Sequence, residues 1–165
     1  MTTVAYKDGF MAADSKMTDA LGSHVTRMTK IFRLSAGGLL GVAGDADVRD
    51  MVALLDKCRS ARSLPSREAL ARTKSEFAGI LVFRNGDIFD IAITHDEEIK
   101  EWTGGIVEIK DGLHAIGSGY QFAIGAMAAG ASAYNAVVLA CRFDTASGGP
   151  VRMVQLKETK QARPA

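Results

Sequence analysis

Cysteine is scarce in this chain: Cys58 and Cys141 are the only two in 165 residues. That is too few for a disulfide framework, and both fall in apolar helical patterns that predict buried free thiols. Net charge is also small, formally +1, so nothing pulls the chain broadly toward nucleic acid or an anionic membrane. Neither a nucleic-acid nor a membrane partner is expected. No run approaches the roughly 20 apolar residues of a membrane span. The N-terminus lacks the basic segment and apolar run of a secretory signal, which makes the cytoplasm the default location. No phosphate-binding loop is present, because Gly117-Ser118-Gly119 lacks the further glycine and lysine such a loop needs. His24, His95 and His114 show no metal-ligand spacing and read as surface or turn residues. There is no internal repeat, low-complexity tract or linker.

What remains is an ordinary globular mixture, 47% hydrophobic and 24% charged, of a length that suits one domain. That domain is expected over residues 1–156, followed by a polar tail, 157–165, expected to be disordered. Turn signals dominate it. Asn85-Gly86 stands between Ile80–Phe83 and Ile88–Ile91, a strong hairpin cue because a type I′ turn needs positive φ at both central residues. Asp8-Gly9 links Thr3–Tyr6 to Phe10–Ala13, Gly37-Gly38 links Ile31–Leu34 to Leu39–Val42, and Asp111-Gly112 links Ile106–Ile109 to Leu113–Ile116. Four hairpins predict mainly antiparallel sheet.

Helical patterns fill the intervals. Asp45–Cys58 carries Val48, Met51, Val52 and Leu55 at helical spacing with Asp45 as N-cap. Pro65 to about Phe77 reads as a second helix with Ser63 as cap. Tyr120–Ala129 is a third, and Ser132 caps a fourth over Ala133–Cys141. Pro150–Leu156 reads as a closing strand. Helices thus fall in pairs between groups of strands. Two stacked antiparallel sheets with a helix pair on each outer face would bury every apolar face. The expected class is α+β, a four-layer αββα sandwich.

Thr2 stands one residue behind Met1, and a small second residue permits removal of the methionine. A chain beginning at Thr2 carries a hydroxyl and a free α-amine on one residue. The amine titrates at roughly 7.7–8.0 and can activate the hydroxyl as a nucleophile. Around the Asp8-Gly9 turn, cross-strand pairing sets Thr3 opposite Asp14 and Thr2 opposite Ser15. Asp14 equally suits the end of a strand. In Thr29–Leu34, Lys30 shares a face with Phe32 and Leu34. A lysine on an apolar face needs a carboxylate or loses its proton, and Asp14 is the candidate. On this pattern alone, an exposed edge lysine is the plainer reading. Gly44, at a strand-to-helix junction, offers an N–H near a helix N-terminus, where negative charge is favoured. That suits an oxyanion hole, as it suits any tight turn. Gly117-Ser118-Gly119 reads equally as a helix cap, and Asp144–Gly149 as a turn.

Taken in order, Met1-Thr2-Thr3-Val4-Ala5, the Asp14/Lys30 pair, Lys30-Ile31, Ala43-Gly44, Gly117-Ser118-Gly119 and Asp144-x-x-Ser147-Gly148-Gly149 resemble the proteasome β-subunits and the HslV-type bacterial peptidase. The resemblance runs from Thr2 to about Leu156. Asp14 and Lys30 are 16 apart, Lys30 and Gly44 14, and Asp144 and Ser147 three, all as in that family. The first hairpin is about four residues shorter than the family's, the segments after Gly44 and between Gly119 and Asp144 are shorter too, and no propeptide precedes Thr2.

The resemblance implies an N-terminal-nucleophile (Ntn) hydrolase fold and a threonine-type endopeptidase. Thr2 would be the nucleophile and its amine the base. Lys30 would supply positive charge held by Asp14, and the Gly44 N–H would bind the oxyanion. Ser118 and Asp144 would orient amine and water, with Ser147 completing the network. It also implies an apolar specificity pocket from Met17, Met28 and Val42, with Ala46 or Val48 deeper. No cofactor is needed for the chemistry, but main-chain carbonyls of Cys141, Asp144 and Ser147 would take Na⁺ or Mg²⁺. Peptides or unfolded proteins would be substrates, enclosed in a homo-oligomeric ring of six or seven. A separate unfoldase ATPase would feed it, since this chain has no nucleotide-binding motif. The alternatives are an inactive proteasome-like shell or chaperone subunit, and another Ntn enzyme such as a small-molecule amidase.

Overall fold

The computed structural model describes residues 2–18, 24–44 and 48–157. Eleven strands and four helices are found there. A four-stranded sheet is built from β1 (Thr3–Lys7), β2 (Phe10–Ala13), β10 (Leu113–Gly117) and β11 (Arg152–Gln155), in the order β10-β1-β2-β11. A five-stranded sheet runs in sequence order through β5 (Ile31–Arg33), β6 (Leu39–Gly44), β7 (Phe77–Val82), β8 (Ile88–Asp96) and β9 (Glu101–Ile109). Every pairing is antiparallel. A small third sheet, β3 (Lys16–Thr18) with β4 (His24–Arg27), was not visible in the sequence pattern.

Alternation along the strands decides the layers. Val4, Tyr6, Met11 and Ala13 of the first sheet pack with Leu39, Ala43, Ile80, Val82 and Ile88 of the second, so these two faces form the central core. On the far side of the five-stranded sheet, Leu40, Val42, Leu81, Phe89 and Ile91 meet Met51 and Leu55 of α1 (Arg49–Leu55) and Leu70 of α2 (Arg67–Ala71). On the far side of the four-stranded sheet, Ala5, Ala12 and Ala115 meet α3 (Tyr120–Ala128) and α4 (Ala133–Phe143). Ala5 is registered with both Ala12 and Ala115. The helices therefore rest on a row of methyl groups and lie close to the strands. The molecule is a mixed α and β sandwich of two antiparallel sheets with helices outside them, and none of its helices among the described residues is long and apolar enough to cross a membrane.

Three of the expected hairpins form. The Asp8-Gly9 register is the expected one, with Val4 opposite Ala13 and Lys7 opposite Phe10. Asp111-Gly112 is a correction: β9 pairs with β8, and β10 pairs with β1 in the other sheet. A turn reverses the chain without choosing the strand it will join, and here it carries the chain between sheets. The partner of β9 is reached through the charged turn before Lys100, which itself takes φ 54°. The second helix is also corrected. Where Pro65–Phe77 was expected, there is a 3-10 turn at Ala61–Ser63, then α2 capped by Ser66, whose hydroxyl accepts the Ala69 N–H at 3.2 Å, and Phe77 already lies in β7. The Thr73 hydroxyl donates to the Leu70 carbonyl at 2.8 Å and Lys74 takes φ 51°, which ends the helix. Asp45 lies outside the described residues, and Val48 occupies the N-cap of α1 without a side-chain cap. The three histidines sit in β4, β8 and β10 rather than in turns. The tail beyond residue 157 also lies outside the described residues.

Candidate active site

Thr2 immediately precedes β1 and is buried. It lines one wall of a cleft of about 460 Å³, together with Gly44, Phe77, Thr94, Gly117 and Ser118. The cleft opens where β6, β7 and β8 end beside the β10–α3 turn. Gly44 adopts φ 124°, and a Cβ there would overlap the Glu76 carbonyl. Gly117 adopts φ 89°, and a Cβ there would overlap the Thr2 carbonyl. Glycine is required at both positions, by backbone conformation and by close approach.

Asp14 follows β2 and is 1% exposed. Its Oδ1 accepts the Thr3 N–H at 2.9 Å and Lys30 Nζ at 2.9 Å. Its Oδ2 accepts the Gly148 N–H at 2.9 Å and the Lys16 N–H at 3.2 Å. A buried carboxylate is tolerated only when it is paired and hydrogen-bonded, and four donors meet that condition. Lys30, just ahead of β5, is 5% exposed. Its ammonium also donates to the Lys16 carbonyl at 2.7 Å. Burial pushes its pKa below the ordinary lysine value, while the hydrogen bond to Asp14 and the charge of Asp14 work in the other direction. Lys30 is thus a buried, paired lysine and not an edge lysine.

A second cluster stands on the other side of Thr3. Asp144 is the C-cap of α4. Its Oδ2 accepts both the Ser118 and Ser147 hydroxyls at 2.6 Å, and its Oδ1 accepts the Ala146 N–H at 3.1 Å. Partial burial raises the carboxyl pKa, but these donors outweigh it and hold the group below the usual carboxylate value. Ser118 Oγ also lies 3.4 Å from the Thr2 carbonyl oxygen. Thr2, Asp14, Lys30, Gly44, Ser118, Asp144 and Ser147 therefore gather around one end of β1, from positions spread over nearly the whole chain.

The sequence reading missed Thr3 and Lys16. Thr3 is fully buried, and its hydroxyl lies 2.6 Å from Ser147 Oγ. The hairpin register implied its backbone contact with Asp14, but nothing local signals a partner 144 residues away. Of the residues expected around a specificity pocket, Val42 and Val48 are buried in the core beneath α1, and Met28 packs against that core. Met17 is half-buried in β3, and Ala46 lies outside the described residues. Cys58 is buried, whereas Cys141 is only half-buried. Burial, with Asp14 and Asp144 nearby, pushes the Cys141 thiol up to about 11, so it is not a thiolate nucleophile near neutral pH.

A solved structure from Thiobacillus denitrificans, BPH, resembles this chain with a TM-score of 0.60 and 22% identity, covering 94% of this chain and 98% of that one. At that identity the likeness concerns the fold, and it extends over nearly the full length of both chains. No family model matches the sequence. No curated protein matches it either.

Proposed function

We propose that this chain is a threonine-type endopeptidase with an Ntn hydrolase fold, and that Thr2 is its nucleophile once Met1 is removed. The observation that carries this reading is the buried Lys30–Asp14 pair, 2.9 Å apart, beside a threonine on the wall of an open cleft. A buried ion pair is weak support for stability, so its presence beside a candidate nucleophile is better explained by chemistry.

Thr2 Oγ attacks the carbonyl carbon of the scissile peptide bond. Its proton passes to the α-amine of the same residue, directly or through water. An ammonium has three donors. Two of those on Lys30 are taken by Asp14 and Lys16, and on this reading the third goes to Thr2, where it would ease loss of the hydroxyl proton. The Gly44 N–H stabilises the oxyanion. The C–N bond then breaks, the amine proton passes to the departing peptide amine, and an ester to Thr2 remains. Water, deprotonated by the amine, attacks that ester. The acid product leaves and the proton returns to Thr2 Oγ. Ser118 and Asp144 orient the amine and the water, and Ser147 supports Asp144.

An Na⁺ or Mg²⁺ ion is proposed for the end of α4. The Cys141 carbonyl lies one residue past Ala140, whose carbonyl takes the Asp144 N–H at 2.8 Å. The Asp144 carbonyl accepts the Ser147 N–H at 3.2 Å and keeps a second lone pair. Carbonyls of Cys141, Asp144 and Ser147 would hold the ion, which suits a hard cation, and would stiffen the turn carrying Asp144. Met17 and Met28, with Val42, Ala46 and Val48, remain the proposed apolar specificity pocket for peptide substrates.

We also propose that the chain assembles into a homo-oligomeric ring complex in the cytoplasm, with unfolding left to a separate ATPase. No charged residue occurs from Tyr120 to Ala133, yet Tyr120 and Phe122 are exposed, and Phe143 is 62% exposed and stacks on Phe122 with ring centroids 5.7 Å apart. An exposed, stacked aromatic pair supports an interface at this face.

The test is hydrolysis of a fluorogenic peptide by the mature protein and by Thr2→Ala. Loss of activity to background in the variant is expected. Equal rates would refute the peptidase reading.

A further inference from the structure

We infer that Thr3 is a positioning residue that couples the two halves of this site, its hydroxyl fixing the direction of the hydrogen bonds that run into Asp144. The inference rests on the peptidase reading only for its catalytic consequence. The arrangement of hydrogen bonds stands on geometry alone.

Thr3 touches both clusters through its own backbone and hydroxyl. Its N–H donates to Asp14 Oδ1 at 2.9 Å, and its carbonyl accepts the Asp14 N–H at 3.1 Å. Its hydroxyl meets Ser147 Oγ at 2.6 Å. Proton counting then settles who donates. A serine hydroxyl has a single proton, and an ionised carboxylate only accepts. Ser147 spends its proton on Asp144 Oδ2 at 2.6 Å. In the contact between Thr3 and Ser147, Thr3 must therefore be the donor. Ser118 likewise gives its proton to Asp144 Oδ2 at 2.6 Å, so its lone pairs are left for a donor on the Thr2 side. The chain runs from Thr3 to Ser147 to Asp144, and it meets Ser118 arriving from the other direction.

Such a chain polarises cooperatively in a dry site, and this one is dry at Thr3, which is fully buried. It is also sterically held. A Cβ on Gly119 would overlap Thr3 Oγ1, so the hydroxyl packs directly against the backbone that presents Ser118. Without the Thr3 donor, the Ser147 hydroxyl loses the partner that fixes it and its bond to Asp144 weakens, leaving Ser118 as the one hydroxyl firmly held on Asp144 Oδ2. The residue following the nucleophile thereby sets the orientation of groups that would receive the Thr2 amine.

Thr3→Val keeps the shape and removes the donor. Thr3→Ser keeps the donor and removes the methyl. The first readout needs no activity: exchange of the Ser147 hydroxyl proton, followed by NMR on serine-labelled protein. It is expected to be slow in the wild type and in Thr3→Ser, and fast in Thr3→Val. The second readout is peptide hydrolysis, where Thr3→Val should lower kcat about tenfold with little change in KM, and Thr3→Ser should restore most of it. Thr3→Ser impaired as badly as Thr3→Val would overturn the inference in favour of a packing role. So would unchanged Ser147 exchange in Thr3→Val. An inactive wild type with the expected exchange pattern would remove the peptidase reading and support the hydrogen-bond order.

Discussion

Lys30 is 5% exposed and Asp14 1% exposed, and each would be costly to bury without the other. Lys30→Met leaves Asp14 with its three backbone donors but without its countercharge. Unfolding in urea should show a loss of about 3 kcal/mol, the low end for breaking a buried pair. The lysine should also shape the pH dependence. Burial, the largest influence, lowers its pKa, and the partnership with Asp14 only partly restores it. If Lys30 acts as proposed, its protonated form is the active one, so activity should fall as pH rises through that lowered value. The alkaline limb of kcat/KM should then lie below the roughly 10.4 of a free lysine. An alkaline limb at or above that value would separate Lys30 from the chemistry. This pair was only half legible in the sequence. The two-residue turn at Asp8-Gly9 fixes a register that brings Asp14 to Thr3. The pattern around Lys30 suited an edge lysine better, and the family resemblance was what set it beside Asp14. The link from Thr3 to Ser147 was not legible at all. It joins the two ends of the chain, and no periodicity or turn rule reaches so far.

Elements carry the second cluster to the first. Asp144 reaches Ser118 and Ser147 because α4 lies close on β1 and β2, over Ala5 and Ala12. Ala12→Leu should push the helix layer outward, lowering stability by roughly 1–3 kcal/mol, as overpacking does. Peptidase activity should fall beyond what the unfolded fraction explains, because Asp144 is the residue on which that helix ends. Activity that merely followed the folded fraction would show that helix placement is not critical. Both helices of this layer were legible, α4 through its Ser132 cap, whose hydroxyl accepts the Asn135 N–H at 3.2 Å. On the other face the same rules misjudged Pro65–Phe77. Apolar spacing there was compatible with helix, and Thr73 and Lys74 decided otherwise. Asp111-Gly112 misled for a different reason: the turn was correctly seen, and the sheet its strand would join is a tertiary choice.

For the whole molecule, the sandwich was legible because pairs of helical patterns alternate with groups of strands, and only stacked sheets bury all those faces. The small β3–β4 sheet was not, since three- and four-residue strands give too short a pattern to count. The proposed assembly would use the exposed aromatic pair on α3 and α4. Phe143→Glu places a charge in the middle of the aromatic patch and should shift light-scattering mass toward the monomer at micromolar concentration. An unchanged oligomer would place the interface elsewhere. The nucleophile itself is tested most directly by intact mass after treatment with a β-lactone or epoxyketone. A Thr2 nucleophile predicts loss of Met1 and one covalent adduct per chain, mapped to Thr2 and absent from Thr2→Ala. No adduct, or an adduct that persists in Thr2→Ala, would contradict it.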